Sequence, residues 1–343
     1  MRSALILLVF GLALSGAALS DSFAASPSKT PNGKHMIVIA APSIGDTYDD
    51  PFYADIFQDI IDFDIAYANA VLGHDDVRIV VDHETRKYFQ GRVPSNILID
   101  AYLPHIWVRD YTTINPYNPI QFRYTPASFE GDQSEADYMQ DGFNDFTELF
   151  SVSHPRTGYI LDGGNIVDNY AGRVITTTRF LTDNSLSKAK GTQVLKRLLN
   201  AKEVAILPPD DDILAHSDGM AMFVENNTLF INRYDEPFRS QVLKELHAAF
   251  PGIKIVEIEA AWDFDEEGSA CGINVNATVT NNYIYMPHFS NAASDKAMRT
   301  IRRHTTKTVI PVPANKVCKL GGSVRCLTWQ LSKSSSKFLK QMP

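Results

Sequence analysis

A cysteine close to the C-terminus follows a pair of glycines in a pattern that suits a nucleophile. The segment Gly321–Gln330 reads GGSVRCLTWQ, with Cys326 just after the paired glycines. Paired glycines let the backbone turn tightly or approach a bound group, so Cys326 would stand at the rim of whatever they shape. The alternative is an ordinary buried thiol in a final strand, since free cysteine is among the most buried residue types. Which residues the fold brings near Cys326 decides whether it is a nucleophile or a buried structural thiol.

Other segments carry polar side chains that a hydrophobic core would not select. They are Trp107–Asp110 (WVRD), Asp162–Asn165 (DGGN), His216–Asp218 (HSD) and Asn274–Asn276 (NVN). Each has a structural alternative. Asp110 beside Arg109 could form an ion pair, and Asp162 before two glycines could be a turn residue. His216 and Asp218 could be a solvated pair in a loop. Together with a thiol, however, such groups can perform acid–base and nucleophilic chemistry.

These segments occupy equivalent places in a sequence repeat. Pairs of apolar runs flank turns at Tyr117, Gly172, Asn227 and Asn282, which are 55 residues apart each time. A helical pattern with one apolar stripe follows each pair, and a further strand follows the helix. Such a period is typical of repeat architectures, in which neighbouring units bury one another's apolar faces. The alternative is a single irregular α/β sheet whose equal spacings are accidental.

About five units of this kind would form a closed α/β propeller. The first unit has predicted strands at 36–41 and 77–81 and a helix at 54–72, but it lacks a second hairpin strand. The run 323–331 is the natural candidate to supply that strand and close the ring. Because equivalent positions of like units meet at one mouth, the polar segments and Cys326 are predicted to face one another there.

The N-terminal segment and the overall charge limit the classes of function. Residues 1–20 are predicted to be a secretory signal peptide, followed by a polar leader at 21–34. Residues 35–331 would form one domain, and 332–343 a polar tail. No other stretch is apolar enough to span a membrane, and a net charge of −8 argues against nucleic acid as a partner. The protein is therefore expected to be secreted, with no membrane partner after signal removal.

Three cysteines occur in a chain that is expected to pass through an oxidising compartment. An odd number leaves at least one free or paired with another chain. The simplest assignment pairs Cys271 with Cys318 and leaves Cys326 as the thiol, although spacing alone does not establish the pair. The glycosylation sequon at Asn226 falls in a predicted exposed turn, whereas the one at Asn276 falls inside a predicted strand and suits glycosylation less.

Taken in order along the chain, these motifs resemble those of the guanidino-group-modifying enzymes of pentein fold. The matching motifs are WxRD, DGGN, HxD, Asn276 and GGSVRCxTxQ. They are most similar to the family that contains agmatine deiminases and Porphyromonas-type peptidylarginine deiminases, over residues 35–331. The resemblance implies a five-bladed α/β propeller with pseudo-fivefold repeats and a catalytic site at its central mouth. The chain departs from it at Arg325, where relatives commonly have His, and at Asp162, where many have Glu.

The resemblance also implies roles for individual residues. In such enzymes two carboxylates grip the guanidinium, a histidine acts as acid and base, and a cysteine attacks the guanidinium carbon. Asp110 and Asp218 match the carboxylates, His216 the histidine and Cys326 the nucleophile. Substrate binding is expected to involve these two aspartates and the other motif residues, namely Trp107, Arg109, Asp162, Asn165, Asn276 and Arg325. No metal or other cofactor is implied.

The expected reaction is hydrolysis of an arginine-type guanidinium to a ureido product and ammonia. Peptidylarginine, agmatine and free arginine are all open as substrates, and secretion favours arginine in extracellular peptides or proteins, or scavenged guanidines. One alternative is an amidinotransferase of the same fold. Another is a secreted pentein that binds a ligand without turnover, since Arg325 could repel a cationic substrate or could equally lower the pKa of Cys326. A metal hydrolase using His216, Asp218 and Cys326 is disfavoured, because they make a poor zinc set. The oligomeric state stays open.

Overall fold

The computed structural model describes residues 33–43, 57–210, 214–260 and 268–333. The predicted signal peptide, the leader up to residue 32 and the tail from residue 334 onwards lie outside these ranges. So do the first three residues of the helix predicted at 54–72. Within the described ranges, every helix is too short or too polar to cross a bilayer.

The helices and strands of the described residues fall into three groups along the chain. The first group comprises β1 (Met36–Ala40), α1 (Phe57–Val71), β2 (Asp76–Val81), β3 (Leu98–Asp100) and the short helix α2 (Val108–Tyr111). The second comprises β4 (Gln121–Arg123), α3 (Gln133–Leu149), β5 (Arg156–Ile160), β6 (Val167–Asp168), β7 (Arg173–Thr177), α4 (Arg179–Asp183), α5 (Lys188–Leu198) and β8 (Glu203–Leu207). The third comprises β9 (Ala221–Glu225), β10 (Thr228–Asn232), α6 (Phe238–Ala249), β11 (Lys254–Ile258), β12 (Thr278–Val279), β13 (Tyr283–His288), α7 (Ala292–Arg302), β14 (Thr308–Pro313) and β15 (Trp329–Leu331).

The strands of the described residues form five separate sheets, and three of these repeat one design. In each of the three, an antiparallel hairpin is followed by a helical crossover to a parallel strand, in the orders β6-β7-β8, β9-β10-β11 and β12-β13-β14. A fourth sheet pairs β4 with β5 in parallel across α3, and a bridge between Ile114 and Ile120 marks its hairpin. The unit predicted from the 55-residue period is therefore present in the structure.

The remaining sheet joins the two ends of the described chain. Strand β15 pairs antiparallel with β1, which pairs in parallel with β2, and β2 pairs in parallel with β3. The C-terminal run thus supplies the strand that the first unit lacks, as predicted. Only Trp329–Leu331 of the predicted run 323–331 is a strand, however. The sheets do not merge into one closed barrel of hydrogen-bonded strands within the described residues, so the closed propeller stays a prediction.

The hairpin turns form where predicted because their residues favour tight turns. Asn115 has a φ of +60°, and its side-chain Oδ1 accepts hydrogen bonds from the backbone N–H groups of Tyr117 and Asn118, both at 3.1 Å. Asparagine tolerates this left-handed conformation and caps its own turn in this way. Gly172 has a φ of +107° in the next hairpin, a conformation that costs glycine little.

The crossover helices cover their sheets with one apolar face. In α6 the buried residues are Val242 and Leu246, and in α7 they include Met298 and Ile301. Burying side chains of this size contributes about 1.5–3 kcal/mol each to stability. The helices therefore stabilise the sheets by apolar packing. The loops that connect helices and strands are not needed for this packing, so they can carry polar groups.

A disulfide links two segments that precede strands β12 and β15. Cys271 is bonded to Cys318, with Cα atoms 4.8 Å apart, and Cys326 is the free cysteine. Both assignments agree with the prediction. The backbone N–H of Ala270 also donates to the carbonyl oxygen of Cys318 at 2.8 Å. The cross-link therefore ties the segment that carries Asn276 to the segment that leads to Cys326.

Candidate active site

The polar motif residues lie on short turns, each just before a strand or hairpin. These turns are helix α2, the 3-10 turns Gly163–Asn165 and Ser217–Gly219, and the turns at 274–275 and 324–327. The sequence had placed these residues at the start of the hairpin strands, with Asn276 inside one. The backbone instead bonds locally, as in the hydrogen bond from the Asn165 N–H to the Asp162 carbonyl oxygen at 3.0 Å. Turns rather than strands therefore aim the side chains.

The thiol of Cys326 lies beside an amide and a carboxylate. Its Sγ is 3.2 Å from Nδ2 of Asn276 and 3.9 Å from Oδ2 of Asp218. Cys326 is 7% exposed, so it is buried and does not lie at an open rim as the sequence predicted. Burial raises the pKa of the Cys326 thiol well above its ordinary value, and the charges of Asp218 and Asp110 raise it further. In the free protein the thiol is therefore neutral.

His216 is held between two carboxylates. Its Nε2 lies 2.9 Å from Oδ2 of Asp162, and its Nδ1 lies 3.8 Å from Oδ1 of Asp110. Burial by itself lowers the pKa of His216, but Asp110, Asp162 and Asp218 together raise it to about 10. The second oxygen of Asp162 accepts a hydrogen bond from the Thr125 N–H at 3.0 Å, which fixes that carboxylate. The imidazole is therefore charged at neutral pH, with Nδ1 directed to Asp110.

The ionised form of Asp110 is less stable than that of an exposed aspartate. Its Oδ1 accepts a hydrogen bond from the Gly164 N–H at 3.0 Å. Burial raises the pKa of Asp110 to about 7, with Asp162 and Asp218 acting in the same direction and His216 against it. A bound cation would reverse this effect, because it favours the charged form of a neighbouring carboxylate.

Asp218 is the more deeply buried of the two predicted guanidinium-binding carboxylates. It is 1% exposed, and its Oδ2 lies 3.5 Å from Nε of Arg325. Burial raises the pKa of Asp218, while the charges of Arg325 and His216 oppose the rise. The charges of both Asp218 and Asp110 raise the pKa of the Cys326 thiol, and Asp218 Oδ2 lies 3.9 Å from the sulfur.

Asn276 and Trp107 shape the surroundings of the thiol. Oδ1 of Asn276 accepts hydrogen bonds from the Ser323 hydroxyl at 3.0 Å and the Arg325 N–H at 3.2 Å, which fixes the amide so that Nδ2 lies 3.2 Å and Oδ1 3.5 Å from the sulfur. Asn276 is therefore a buried part of the site and has no accessible amide for a glycan. The Trp107 ring lies over Gly322, where an added Cβ would be 2.4 Å from the ring. Gly322 is thus needed for close approach to Trp107.

Three of the residues predicted to bind substrate form hydrogen bonds with backbone groups. Oδ1 of Asn165 accepts a hydrogen bond from the Thr177 N–H at 2.9 Å. Nε of Arg109 donates to the carbonyl oxygen of Arg325 at 3.4 Å, and Nη2 of Arg325 donates to that of Ile166 at 2.8 Å. The two arginine side chains tie turns of the site together, and Asn165 ties its turn to strand β7.

Two contacts in the site were not anticipated from the sequence. Asp162 and Asn276 were both predicted to bind substrate. Asp162 forms a hydrogen bond with His216, and Asn276 forms one with Cys326. Their positions before equivalent hairpins indicated that they belong to the site, but gave no sign of which group each would contact. Within the described residues, no group of three or more His, Cys, Asp or Glu side chains is arranged to hold a metal ion.

The chain is similar in sequence to candidate agmatine deiminases and in fold to a solved one. A candidate agmatine deiminase of Latilactobacillus sakei is 25% identical over 210 residues, which cover 50% of this chain and 57% of that protein. A candidate agmatine deiminase of Mycoplasma capricolum is 22% identical over 311 residues, covering 77% of this chain and 85% of that protein. Among solved structures, the agmatine deiminase of C. jejuni superimposes with a TM-score of 0.72 at 18% identity, covering 88% of this chain and 94% of that one.

The structural neighbour confirms the predicted fold class, an α/β fold of pentein type. Residues 36–331 match the family profile of Porphyromonas-type peptidyl-arginine deiminases, which agrees with the predicted extent of the resemblance, 35–331. This match extends over most of the chain and includes every turn of the site described above. The protein therefore belongs to the Porphyromonas-type peptidyl-arginine deiminase family, a family of hydrolases that act on the C–N bonds of guanidino groups.

Proposed function

We propose that this protein is a deiminase that converts an arginine-type guanidinium to a ureido group and ammonia through a covalent intermediate on Cys326. The observation that carries the proposal is a buried free thiol 3.9 Å from the carboxylate of Asp218, with a second buried carboxylate, Asp110, acting on it electrostatically and lying 3.8 Å from the charged imidazole of His216. A planar cation with N–H donors in a fixed fork suits such a pair of acceptors. Family membership supports the same chemistry.

Binding of the cation prepares the nucleophile. The charges of Asp218 and Asp110 raise the pKa of Cys326 in the free protein. A guanidinium held between these carboxylates offsets their charge, so it lowers the thiol pKa and the proton leaves to solvent. The same cation favours the charged form of Asp110. Substrate binding thus creates the thiolate next to the carbon that it attacks.

The chemistry proceeds in two halves. Sγ of Cys326 adds to the guanidinium carbon, and His216 gives a proton to one amino group, which leaves as ammonia while the C–N bond breaks. A thiouronium adduct remains on the sulfur, and His216 is neutral. His216 then takes a proton from water, and the resulting hydroxide adds to the same carbon. Collapse breaks the C–S bond and releases the ureido product, the thiolate and one proton.

A screen for ammonia release tests the proposal. The full chain without residues 1–20 is incubated with agmatine, free arginine and peptides that carry internal or C-terminal arginine. We expect equal amounts of ammonia and ureido product from at least one of them, and none from peptides in which lysine replaces arginine. Ammonia formed without any added amine separates hydrolysis from amidino transfer. A protein that binds these guanidines and releases no ammonia would be a binding pentein, contrary to the proposal.

We propose further that the chain is exported and that its substrate is arginine in extracellular peptides or proteins. The signal peptide predicted at 1–20 supports export, and an extracellular setting favours peptidylarginine over a metabolite such as agmatine. The domain is proposed to comprise residues 35–331. In the screen, a higher kcat/KM for the internal-arginine peptide than for agmatine is the expected order, and the reverse order would contradict this substrate.

The activity should depend on pH through three of the groups in the site. Asp110 must be charged to hold the cation, so kcat/KM should rise as it deprotonates, with its pKa at about 7. His216 must be charged to protonate the leaving amine, so kcat/KM should fall as it loses its proton, with its pKa at about 10. The Cys326 thiol, whose pKa is raised by burial and by the neighbouring carboxylates, must also lose its proton before it attacks, so the rise should continue above pH 7. Ammonia release at low substrate concentration should therefore form a bell with its plateau just below about pH 10. Samples returned to the plateau pH before assay control for unfolding, and a maximum below about pH 6 would contradict the assignment.

A further inference from the structure

Arg325 precedes Cys326 in the chain, but its guanidinium contacts other groups. The side chain is 6% exposed, and its Nη2 donates to the Ile166 carbonyl oxygen at 2.8 Å. Its Nε lies 3.5 Å from Oδ2 of Asp218 and forms no hydrogen bond among the described residues. Arg325 and Asp218 therefore attract each other through their opposite charges, without a hydrogen bond between them.

The backbone fixes this arginine on both sides. Its N–H donates to Oδ1 of Asn276 at 3.2 Å, and its carbonyl oxygen accepts from Nε of Arg109 at 3.4 Å. Oδ2 of Asp218 is 3.5 Å from Arg325 Nε and 3.9 Å from the sulfur of Cys326. The carboxylate thus has the arginine as one neighbour and the thiol as another.

We propose that Arg325 is a positioning residue that keeps the Asp218 carboxylate charged and aimed at the substrate guanidinium, without contacting the substrate or activating the thiol itself. This inference rests on the proposed function. Burial raises the pKa of Asp218, and Arg325 is the strongest of the groups that oppose the rise. The thiol of Cys326, by contrast, responds mainly to burial and to its neighbouring carboxylates.

Several other charges face this pair. The charges of His216 and Arg109 also act on Asp218, and the charge of Asp218 acts on Asp110 and on the Cys326 thiol. Arg325 lines a small cavity with Asp168 and Tyr170, and it opposes the rise that burial causes in the pKa of each. Burial raises that of Asp168 to about 7.

A count of these charges agrees with a role for Arg325 inside the protein. The cluster contains the carboxylates of Asp110, Asp162, Asp168 and Asp218 and the cations of Arg109, His216 and Arg325. With all of them ionised, one negative charge is left over, which a single guanidinium would neutralise. Without Arg325 two would be left, and buried carboxylates in that position take up protons instead.

The test compares Arg325→Gln and Arg325→Lys with the wild type, using agmatine and an internal-arginine peptide as probes. We expect Arg325→Gln to raise KM at least about tenfold and to move the acid limb of kcat/KM upward by about one pH unit or more. Arg325→Lys should return the acid limb toward its wild-type position, because it restores a positive charge. Thermal unfolding of each variant shows whether it is folded.

A double-mutant cycle separates positioning from a structural role. With Cys326→Ala in every protein to prevent turnover, dissociation constants of the better probe are measured for Arg325→Gln, Asp218→Asn and the pair. If Arg325 acts through Asp218, adding Arg325→Gln to Asp218→Asn should weaken binding less than about twofold. An equal loss with and without Asp218 would overturn the proposal.

Other results of these experiments would assign Arg325 a different role or none. A lower KM in Arg325→Gln would show that Arg325 repels the substrate. Slower alkylation of Cys326 by iodoacetamide in the free variant, with KM unchanged, would show that it activates the thiol. Either result overturns the proposal, as would wild-type kinetics in Arg325→Gln. A wild-type protein that releases no ammonia from either probe would overturn the proposed function, and this inference with it.

Discussion

Replacing Cys326 with alanine is expected to lower the rate of ammonia release by at least about 10⁴-fold, because the first bond of the reaction forms to its sulfur. Cys326 is the free cysteine, and the other two are bonded to each other, so no second thiol can take its place. Binding should change far less, since Asp110 and Asp218 both remain. The measurements are kcat from ammonia release and the dissociation constant of the substrate by calorimetry.

Trapping the intermediate provides the control for this prediction. Wild-type protein quenched in acid during turnover should carry an added mass equal to the substrate less ammonia, located on the peptide that contains Cys326. The alanine variant should carry none and should unfold at the wild-type temperature within a few degrees. Activity above about 1% of the wild-type rate, or the same added mass on another residue, would contradict a nucleophilic role.

The composition of the site could be predicted because its residue types are distinctive and their spacing repeats. Asp110 and His216 stood out as groups that a core would not choose, Cys326 stood out by the glycine pair before it, and the repeat placed all three at equivalent positions. The structure brings them together, with distances of 3.8 Å from His216 to Asp110 and 3.9 Å from Cys326 to Asp218. The positions of the turns could be predicted equally well, because they depend on local residues such as Asn115 and Gly172.

The contacts inside the site could not be predicted, because they depend on side-chain directions that distant segments set. The amide of Asn276 lies against the thiol because Ser323 and the backbone of Arg325 hold its Oδ1 in place. The direction of Arg325 follows from the Ile166 carbonyl oxygen, far away in the chain. Neither partner is visible in the local pattern of the sequence.

The extent of the last strand was overestimated for a related reason. Hydrogen bonds within the turn, from the Leu327 N–H to Ser323 and from the Thr328 N–H to Arg325, occupy groups that a strand would have used. The apolar run gave no sign of them. Local bonding of this kind competes with sheet formation, and in this segment it places Cys326 in the turn before β15.

Gly164→Ala is expected to lower kcat/KM at least about 10³-fold, because it displaces two groups that the reaction needs. A Cβ at this position would lie 2.5 Å from Nδ1 of His216 and 2.7 Å from Oδ1 of Asp110. Contacts this short do not persist, so the imidazole or the carboxylate must move. The backbone at Gly164 does not have a positive φ, so the substitution acts through contact alone. The measurement is kcat/KM for ammonia release at the plateau pH.

Gly219→Ala is the matched control for this substitution, because Gly219 follows Asp218 in the same kind of turn. A Cβ there meets no atom within 4 Å, and its φ is not positive, so activity should stay within about threefold of the wild type. The comparison isolates the space beside His216 and Asp110 from any general sensitivity of the turns. If Gly164→Ala kept more than about a tenth of the activity, or if both variants lost it equally, the placement of these two groups would not be what limits the reaction.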